Sequence, residues 1–262
     1  MSLWTFIGLA KGKATTKWPK KKGDNGQTGV LGMPRYDEAH CEKGCSDCAD
    51  VCISQAITIG DKGLQLDYGK CVNCQLCTDV CPTGAMSPSN EWAFAVKERK
   101  DLVLSKTNKP SSKKTKSKTG FKRSLYIRHV DAGSCNGCES ELDALLNPFY
   151  DLERLGIFFT PSPRFADLLL VTGPVTYNMR EALLETYKAM PEPRWVMAMG
   201  TCAVSGGTNG GGYACENGLE GILPVDIYLP GCPPNPAAMM SALLTFLERM
   251  PQKVQGGQVV SD

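Results

Sequence analysis

Eight of the 13 cysteines lie in the first half of the 262-residue chain, in two blocks of four. The second block has the spacing C-x2-C-x2-C-x3-C-P and consists of Cys71, Cys74, Cys77, Cys81 and then Pro82. The first block has one extra residue after its first cysteine and Ile53 in place of proline; its members are Cys41, Cys45, Cys48 and Cys52. This spacing predicts two [4Fe–4S] clusters, because three closely spaced thiolates wrap one face of a cubane and the fourth reaches the neighbouring cluster.

The exchange of fourth cysteines predicts how the two sets of ligands are divided. The first cysteine site takes its fourth ligand from the second block and comprises Cys41, Cys45, Cys48 and Cys81. The second cysteine site takes its fourth ligand from the first block and comprises Cys71, Cys74, Cys77 and Cys52. Zinc is the alternative, but zinc ribbons use two separated CxxC pairs and not two blocks of four that end in a three-residue step.

The other five cysteines are dispersed, and four of them follow predicted strands. Ligands of an open α/β sheet bind at the carboxyl ends of its strands, so we expect a third cysteine site formed by Cys135, Cys138, Cys202 and Cys232. Cys215 lies in a glycine-rich loop and is predicted to be a buried non-ligand. Four thiolates could also hold zinc or nickel. The eight-cysteine half favours a further redox centre.

The elements that position these cysteines differ between the two halves of the chain. In the second half, short apolar strands are predicted at Leu125–Val130, Leu168–Thr172, Trp195–Met199 and Asp226–Leu229. Two helical stripes accompany them, the first Met179, Leu183, Tyr187 and Met190, the second Met240, Leu243, Leu244 and Leu247. This alternation indicates an α/β domain with a mainly parallel sheet. The first half shows little beyond a predicted hairpin of Ala56–Ile59 and Leu64–Asp67.

A basic segment without aliphatic residues, Lys106–Arg123, separates the two sets of cysteines and is predicted to be a flexible linker. We therefore expect a two-cluster domain over 1–105, the linker over 106–123 and a single-cluster domain over 124–262. Residues 1–123 contain 21 Lys+Arg against 12 Asp+Glu, whereas residues 124–262 contain 8 against 15. The opposite net charges support two modules.

Nothing in the chain resembles a membrane span or a signal peptide, since no apolar run approaches the ~20 residues that a bilayer requires. A cytoplasmic location is therefore expected, where thiols stay reduced and cysteines more often bind metal than form disulfides. No nucleic-acid partner is predicted.

Residues 124–250 resemble the small subunit of membrane-bound, formate-hydrogenlyase-type (group 4) [NiFe]-hydrogenases and, more distantly, the complex I subunit that carries the terminal [4Fe–4S] cluster. The matching stretches are DAGSCNGCESELDALL, PSPRFADLLLVTGPVT, GTCAVSGG and VDIYLPGCPPNP. The first half resembles the two-cluster ferredoxin-type subunit of the same complexes through TFIGLAKGKATTKWP, the cysteine blocks and EWAFAVKERKDLV. The resemblance implies an α+β ferredoxin-like domain followed by an α/β flavodoxin-like domain. It also implies that the third cysteine site holds the cluster nearest the nickel–iron centre.

Two features favour the hydrogenase branch of this resemblance. The complex I relatives have two adjacent cysteines at the first position, whereas this chain has a CxxC followed by Glu139. The resemblance suggests that Glu139 relays protons. The alternative is that an acidic residue in the first turn of a predicted helix, Ser140–Leu146, favours the helix dipole. His40 and His129 are isolated and are predicted to be structural, so no nickel site is expected in this chain.

The resulting hypothesis is an electron relay with three [4Fe–4S] clusters on the cytoplasmic face of the inner membrane. Electrons would pass from the first half to the third cysteine site and then to a partner large subunit that performs 2H⁺ + 2e⁻ ⇌ H₂. Expected partners are that large subunit, membrane subunits and a donor of the ferredoxin, formate dehydrogenase or CO dehydrogenase type. The alternatives are a complex I-like quinone oxidoreductase subunit, a structural zinc protein and a stand-alone ferredoxin-type carrier.

Overall fold

The computed structural model describes residues 3–19, 25–60, 63–105, 124–254 and 258–259. The predicted linker lies outside these residues. The first half opens with helix α1 (Leu3–Lys11), whose apolar side chains Leu3, Phe6 and Leu9 are largely exposed.

Short elements arrange the two cysteine blocks of the first half. Strands β2 (Ile57–Gly60) and β3 (Gly63–Asp67) form the predicted antiparallel hairpin, and β5 (Val103–Leu104) adds a third strand beside β3. Two single helical turns, α2 (Asp47–Asp50) and α3 (Leu76–Asp79), carry one cysteine each. Strands β1 (Arg35–Tyr36) and β4 (Met86–Ser87) pair antiparallel and close this half.

The second half is built on a five-stranded sheet in which every strand is parallel to its neighbours. Counted along the chain, its strands lie in the order 2-1-3-4-5, which is the flavodoxin-like order of doubly wound sheets. Its members in chain order are β6 (Leu125–Asp131), β7 (Ile157–Phe159), β8 (Leu168–Thr172), β9 (Trp195–Met199) and β10 (Ile227–Leu229). Strand β7 is not among the strands that the sequence predicts.

The helices of this half follow the predicted stripes. Helix α5 (Tyr177–Ala189) buries Leu183, and α7 (Pro236–Phe246) is buried along its whole length. Asn235 caps the start of α7, because its side chain accepts a hydrogen bond of 2.8 Å from the Ala238 N–H. Two shorter helices, α4 (Gly137–Ala144) and α6 (Gly200–Ser205), begin beside cysteines of the third site. The chain ends with a small antiparallel pair, β11 (Lys253–Val254) and β12 (Gln258–Val259).

The two halves pack against each other along a common boundary, which we call the seam. Val96 of the first half and Tyr228 of β10 exchange two backbone hydrogen bonds of 3.0 and 2.8 Å. Buried side chains on either side, Phe94 and Leu169 among them, belong to one continuous hydrophobic cluster. Because apolar burial is the dominant favourable contribution to folding, this shared cluster holds the halves in one relative position.

Candidate cluster sites

The structure brings the members of the first cysteine site together as predicted. All four line one cavity, with Tyr36 and Met86 among its other lining residues. Cys48 is buried, and burial together with the charges of the other three cysteines raises the pKa of its thiol to about 11. The four thiols would repel one another if all were ionised to thiolates in this enclosed space. A positively charged group between them would offset this repulsion and favour the thiolate forms.

The second cysteine site is likewise assembled around one cavity, which Cys52, Cys71, Cys74 and Cys77 line together with Leu66. Burial is the main cause that raises the pKa of Cys71 to about 11 and that of Cys77 to about 12. Both cavities combine cysteines from the two sequence blocks, so the exchange of fourth cysteines agrees with the geometry.

Backbone N–H groups point at three of these sulfur atoms. The N–H groups of Ala56 and Met86 lie 3.2 and 3.3 Å from the sulfurs of Cys52 and Cys81, the two exchanged cysteines. In the second site the Asn73 N–H lies 3.4 Å from the Cys71 sulfur, and Asn73 adopts a left-handed backbone conformation with φ of +58°. Such hydrogen bonds stabilise negative charge on sulfur and tune the potential of a bound cluster.

The third cysteine site lies at the carboxyl edge of the parallel sheet, as predicted. Cys138 lies in the first turn of α4 after β6, Cys202 lies in α6 after β9, and Cys232 follows β10. Burial raises the pKa of Cys138, and the charges of Glu139, Cys202, Cys232 and Cys135 raise it further, so the four cysteines are neighbours. Cys135 and Cys232 are exposed, which places one side of this site at the protein surface.

Glycine keeps the third site open. Gly200 has φ of +86°, and a Cβ atom added there would lie 2.7 Å from the Cys138 sulfur. At Gly207, with φ of +62°, an added Cβ would lie 3.0 Å from the Cys202 sulfur. These positions need both the left-handed conformation and the missing side chain.

Cys215 is buried in the glycine-rich loop after α6. Its thiol donates a hydrogen bond of 2.8 Å to the Asn209 carbonyl, and its charge is one of the causes that raise the pKa of Cys202. It is therefore a neighbour of the third site whose sulfur already has a local partner.

Glu139, the predicted relay, is held by hydrogen bonds on both carboxylate oxygens. Ser134 donates to one oxygen over 2.7 Å, and the Thr172 hydroxyl at the end of β8 donates to the other. The His129 ring lies 2.9 Å from the same Thr172 oxygen and lines a surface cleft with Arg128 and Thr160. The residue also lies in the first turn of α4, as the helix-dipole alternative requires. His40 lies elsewhere and contacts Asp37 on the surface.

Two hydroxyl residues at the seam are not predicted from the sequence. Thr201 and Ser205 of α6 lie 2.9 and 2.8 Å from the carbonyl oxygens of Cys71 and Gly69 in the first half. Their only signal in the sequence is proximity to Cys202, because the carbonyl partners are about 130 residues away.

Within the part of the chain that the structure describes, no three His, Cys, Asp or Glu side chains converge closely enough to hold one metal ion.

Two protein families and several known proteins are similar to this chain. The family described as "NADH ubiquinone oxidoreductase, 20 Kd subunit" matches residues 135–246, and the family described as "4Fe-4S dicluster domain" matches residues 40–85. Formate hydrogenlyase subunit 7 of Escherichia coli is 46% identical over 134 residues, which are 51% of this chain and 52% of that protein. A probable membrane-bound hydrogenase subunit of Pyrococcus furiosus is 42% identical over 134 residues, 51% of this chain and 80% of that protein.

A solved structure of an archaeal membrane-bound sulfane sulfur reductase is also similar, with 39% identity, a TM-score of 0.44, and coverage of 48% of this chain and 70% of that one. The chain spans about half the length of the Escherichia coli relative.

The fold and the matched regions define the class of protein, which is an iron–sulfur electron-transfer protein. The chain belongs to the 20 kDa-subunit family of NADH ubiquinone oxidoreductase, within its membrane-bound (group 4) hydrogenase branch, and carries a dicluster ferredoxin-type region in addition. Among the residues with a described structure, no helix has the length and apolarity needed to cross a bilayer.

Proposed function

We propose that the chain relays electrons between a donor and the nickel–iron site of a partner large subunit, where protons and hydrogen interconvert. The twelve cysteines of the first, second and third sites are the proposed ligands of three [4Fe–4S] clusters. When bound, each cluster accepts and releases one electron at a time. The residue ranges 1–105, 106–123 and 124–262 remain our proposed division into a ferredoxin-like domain, a linker and a hydrogenase small-subunit-like domain.

One observation carries this proposal: the second site is a neighbour of both the first and the third. The charge of Cys48 in the first site is among the causes that raise the pKa of Cys77 in the second. Across the seam, Thr201, which directly precedes Cys202 of the third site, donates a hydrogen bond of 2.9 Å to the carbonyl of Cys71 in the second. The third site reaches the surface through Cys135 and Cys232, which leaves room for a partner subunit at that end.

The chain itself prepares the sites in two ways. Backbone N–H groups directed at cysteine sulfurs favour the negatively charged thiolates that metal binding needs. Burial of Cys48, Cys71 and Cys77 excludes water from the inner side of the first two sites. We propose that the chain is a peripheral subunit on the cytoplasmic face of the membrane, and that the exposed apolar residues of α1 face a membrane subunit.

The test is anaerobic purification from a host with competent cluster assembly, followed by iron, sulfide and nickel analysis and hydrogen turnover of the assembled complex. We expect about twelve iron atoms for each copy of this chain and nickel only in the large subunit. A colourless, iron-free chain would contradict the cluster proposal. A complex with the clusters but without nickel, which reduces a quinone, would instead establish the complex I-like alternative.

For Glu139 we propose a relay of protons through Thr172 to His129 and the surface cleft. Replacement of Glu139 by Gln keeps the size of the side chain and removes its charge. We expect hydrogen turnover to fall by about 10²-fold, since a positioned proton carrier contributes about that much or more, while iron content stays unchanged. Glu141→Gln, on the same helix, is the control. If Glu139→Gln turns over hydrogen normally with all clusters present, the residue only stabilises the start of α4.

A further inference from the structure

Thr201 occupies the point of the seam where the second and third cysteine sites approach each other. Its side chain is 1% exposed, and its hydroxyl donates a hydrogen bond of 2.9 Å to the carbonyl of Cys71, a proposed ligand of the second site. The residue that follows it is Cys202, a proposed ligand of the third site.

The same hydroxyl also holds a second loop of the third site. The Gly231 N–H donates to the Thr201 oxygen over 3.2 Å, and the Thr201 N–H donates to the Gly231 carbonyl over 2.9 Å. Gly231 directly precedes Cys232. One buried hydroxyl group is therefore linked to the backbone beside three cysteines, Cys71, Cys202 and Cys232, that belong to two different sites.

We propose that Thr201 is the positioning residue that couples the second site to the third, and that its hydroxyl connects the backbone of one site to that of the other across the seam. This inference rests on the proposed function. The connection begins with the hydrogen bond between the Cys71 carbonyl and the Thr201 hydroxyl. From Thr201 one branch follows the peptide bond to Cys202, and the other follows the hydrogen bond to the Gly231 N–H, next to Cys232. Ser205 supports it one turn later by its contact with the Gly69 carbonyl.

The step that this connection serves is the movement of one electron. With clusters bound, the electron would leave the group held by Cys71 and its partners, which would be oxidised, and would be taken up by the group held by Cys202 and Cys232, which would be reduced. No covalent bond forms or breaks, and Thr201 keeps its proton. A valine of nearly the same shape would fill the space but would leave the buried Cys71 carbonyl and Gly231 N–H without this partner, which is unfavourable.

The experiment compares the cluster-loaded chain with Thr201→Val, Thr201→Ser and the control Thr245→Val, which removes an equally buried threonine hydroxyl from α7. After a photoreductant delivers one electron, freeze-quench EPR follows the arrival of that electron at the third site. Hydrogen exchange measured by mass spectrometry reports the peptide that contains Gly231.

We expect Thr201→Val to slow electron arrival and to raise exchange at Gly231 by about tenfold. Thr201→Ser and Thr245→Val should behave like the parent chain. Equal arrival times and equal exchange in Thr201→Val and the parent would overturn the inference while leaving the three-cluster proposal intact.

Two other outcomes also decide the question. Thr201→Val could assemble fewer clusters than the parent. In that case, normal cluster assembly and a normal electron arrival time in Thr201→Ser would assign the effect to the hydroxyl. Failure of both variants would assign the effect to packing and contradict the inference. Absence of clusters from the parent chain would instead refute the proposed function.

Discussion

Replacement of Cys81 by Ala should remove the EPR signal of the first cysteine site and spare that of the second. Cys81 belongs to the second sequence block, yet it lines the cavity of Cys41, Cys45 and Cys48. If each cluster were instead bound by the four cysteines of one sequence block, the variant would lose the EPR signal of the site that contains Cys71, Cys74 and Cys77. The variant therefore distinguishes the two arrangements by which signal disappears, and iron analysis should show a loss of up to about four atoms per chain.

Two further variants complete this experiment. Cys52→Ala should give the reciprocal result, because Cys52 lines the cavity of the second site. Cys215→Ala is the matched control, since its thiol is bonded to the Asn209 carbonyl and is the one cysteine not assigned to a cluster. Loss of iron in Cys215→Ala, or loss of the same signal in both Cys81→Ala and Cys52→Ala, would show that the assignment is wrong.

Replacement of Gly200 by Ala should abolish the third cluster and destabilise the protein. The added methyl group would lie 2.7 Å from the Cys138 sulfur, a separation that requires one of the two to move. The residue would also be forced to keep φ of +86°, which costs a non-glycine residue about 1–3 kcal/mol. Calorimetry should detect the lower melting temperature, and EPR should show that the signals of the first and second sites persist.

Gly221→Ala separates the two causes of this effect. Gly221 has a similar φ of +82°, but an added Cβ would meet nothing within 4 Å. It should therefore show the backbone strain alone, with the third cluster intact. If Gly200→Ala retained a normal third signal, Cys138 could not be in contact with the cluster in the place where the structure puts it.

Much of this architecture could be predicted from local sequence patterns. The strands Leu168–Thr172 and Trp195–Met199 have the bounds that the sequence predicts, because both are short, mainly apolar segments of five residues that are buried along their whole length in a parallel sheet. The convergence of the third site followed from the rule that ligands collect at the carboxyl ends of such strands. The spacing of the two cysteine blocks predicts an exchange of fourth ligands, and in the structure cysteines of both blocks line each of the first two cavities.

Other features depend on contacts that no local pattern contains. Ile157–Phe159 has only three residues between Gly156 and a threonine–proline pair, and it is a strand because it pairs with β6. Helix α4 begins at Gly137, earlier than predicted, because Asn136 accepts a left-handed conformation with φ of +67° at its start. The bond between Thr201 and the Cys71 carbonyl spans 130 residues, so neither residue's neighbours indicate it.

The two backbone hydrogen bonds between Val96 and Tyr228 bear on why both halves are encoded in one polypeptide. Since the halves already recognise each other through paired main chain and a shared apolar interior, their geometry does not require a covalent tether. Joining the halves in one chain raises the effective concentration of each half near the other. For modules joined by a short flexible linker, this concentration is in the millimolar range. The single chain also fixes a one-to-one stoichiometry of the two halves, so that neither is synthesised without its counterpart.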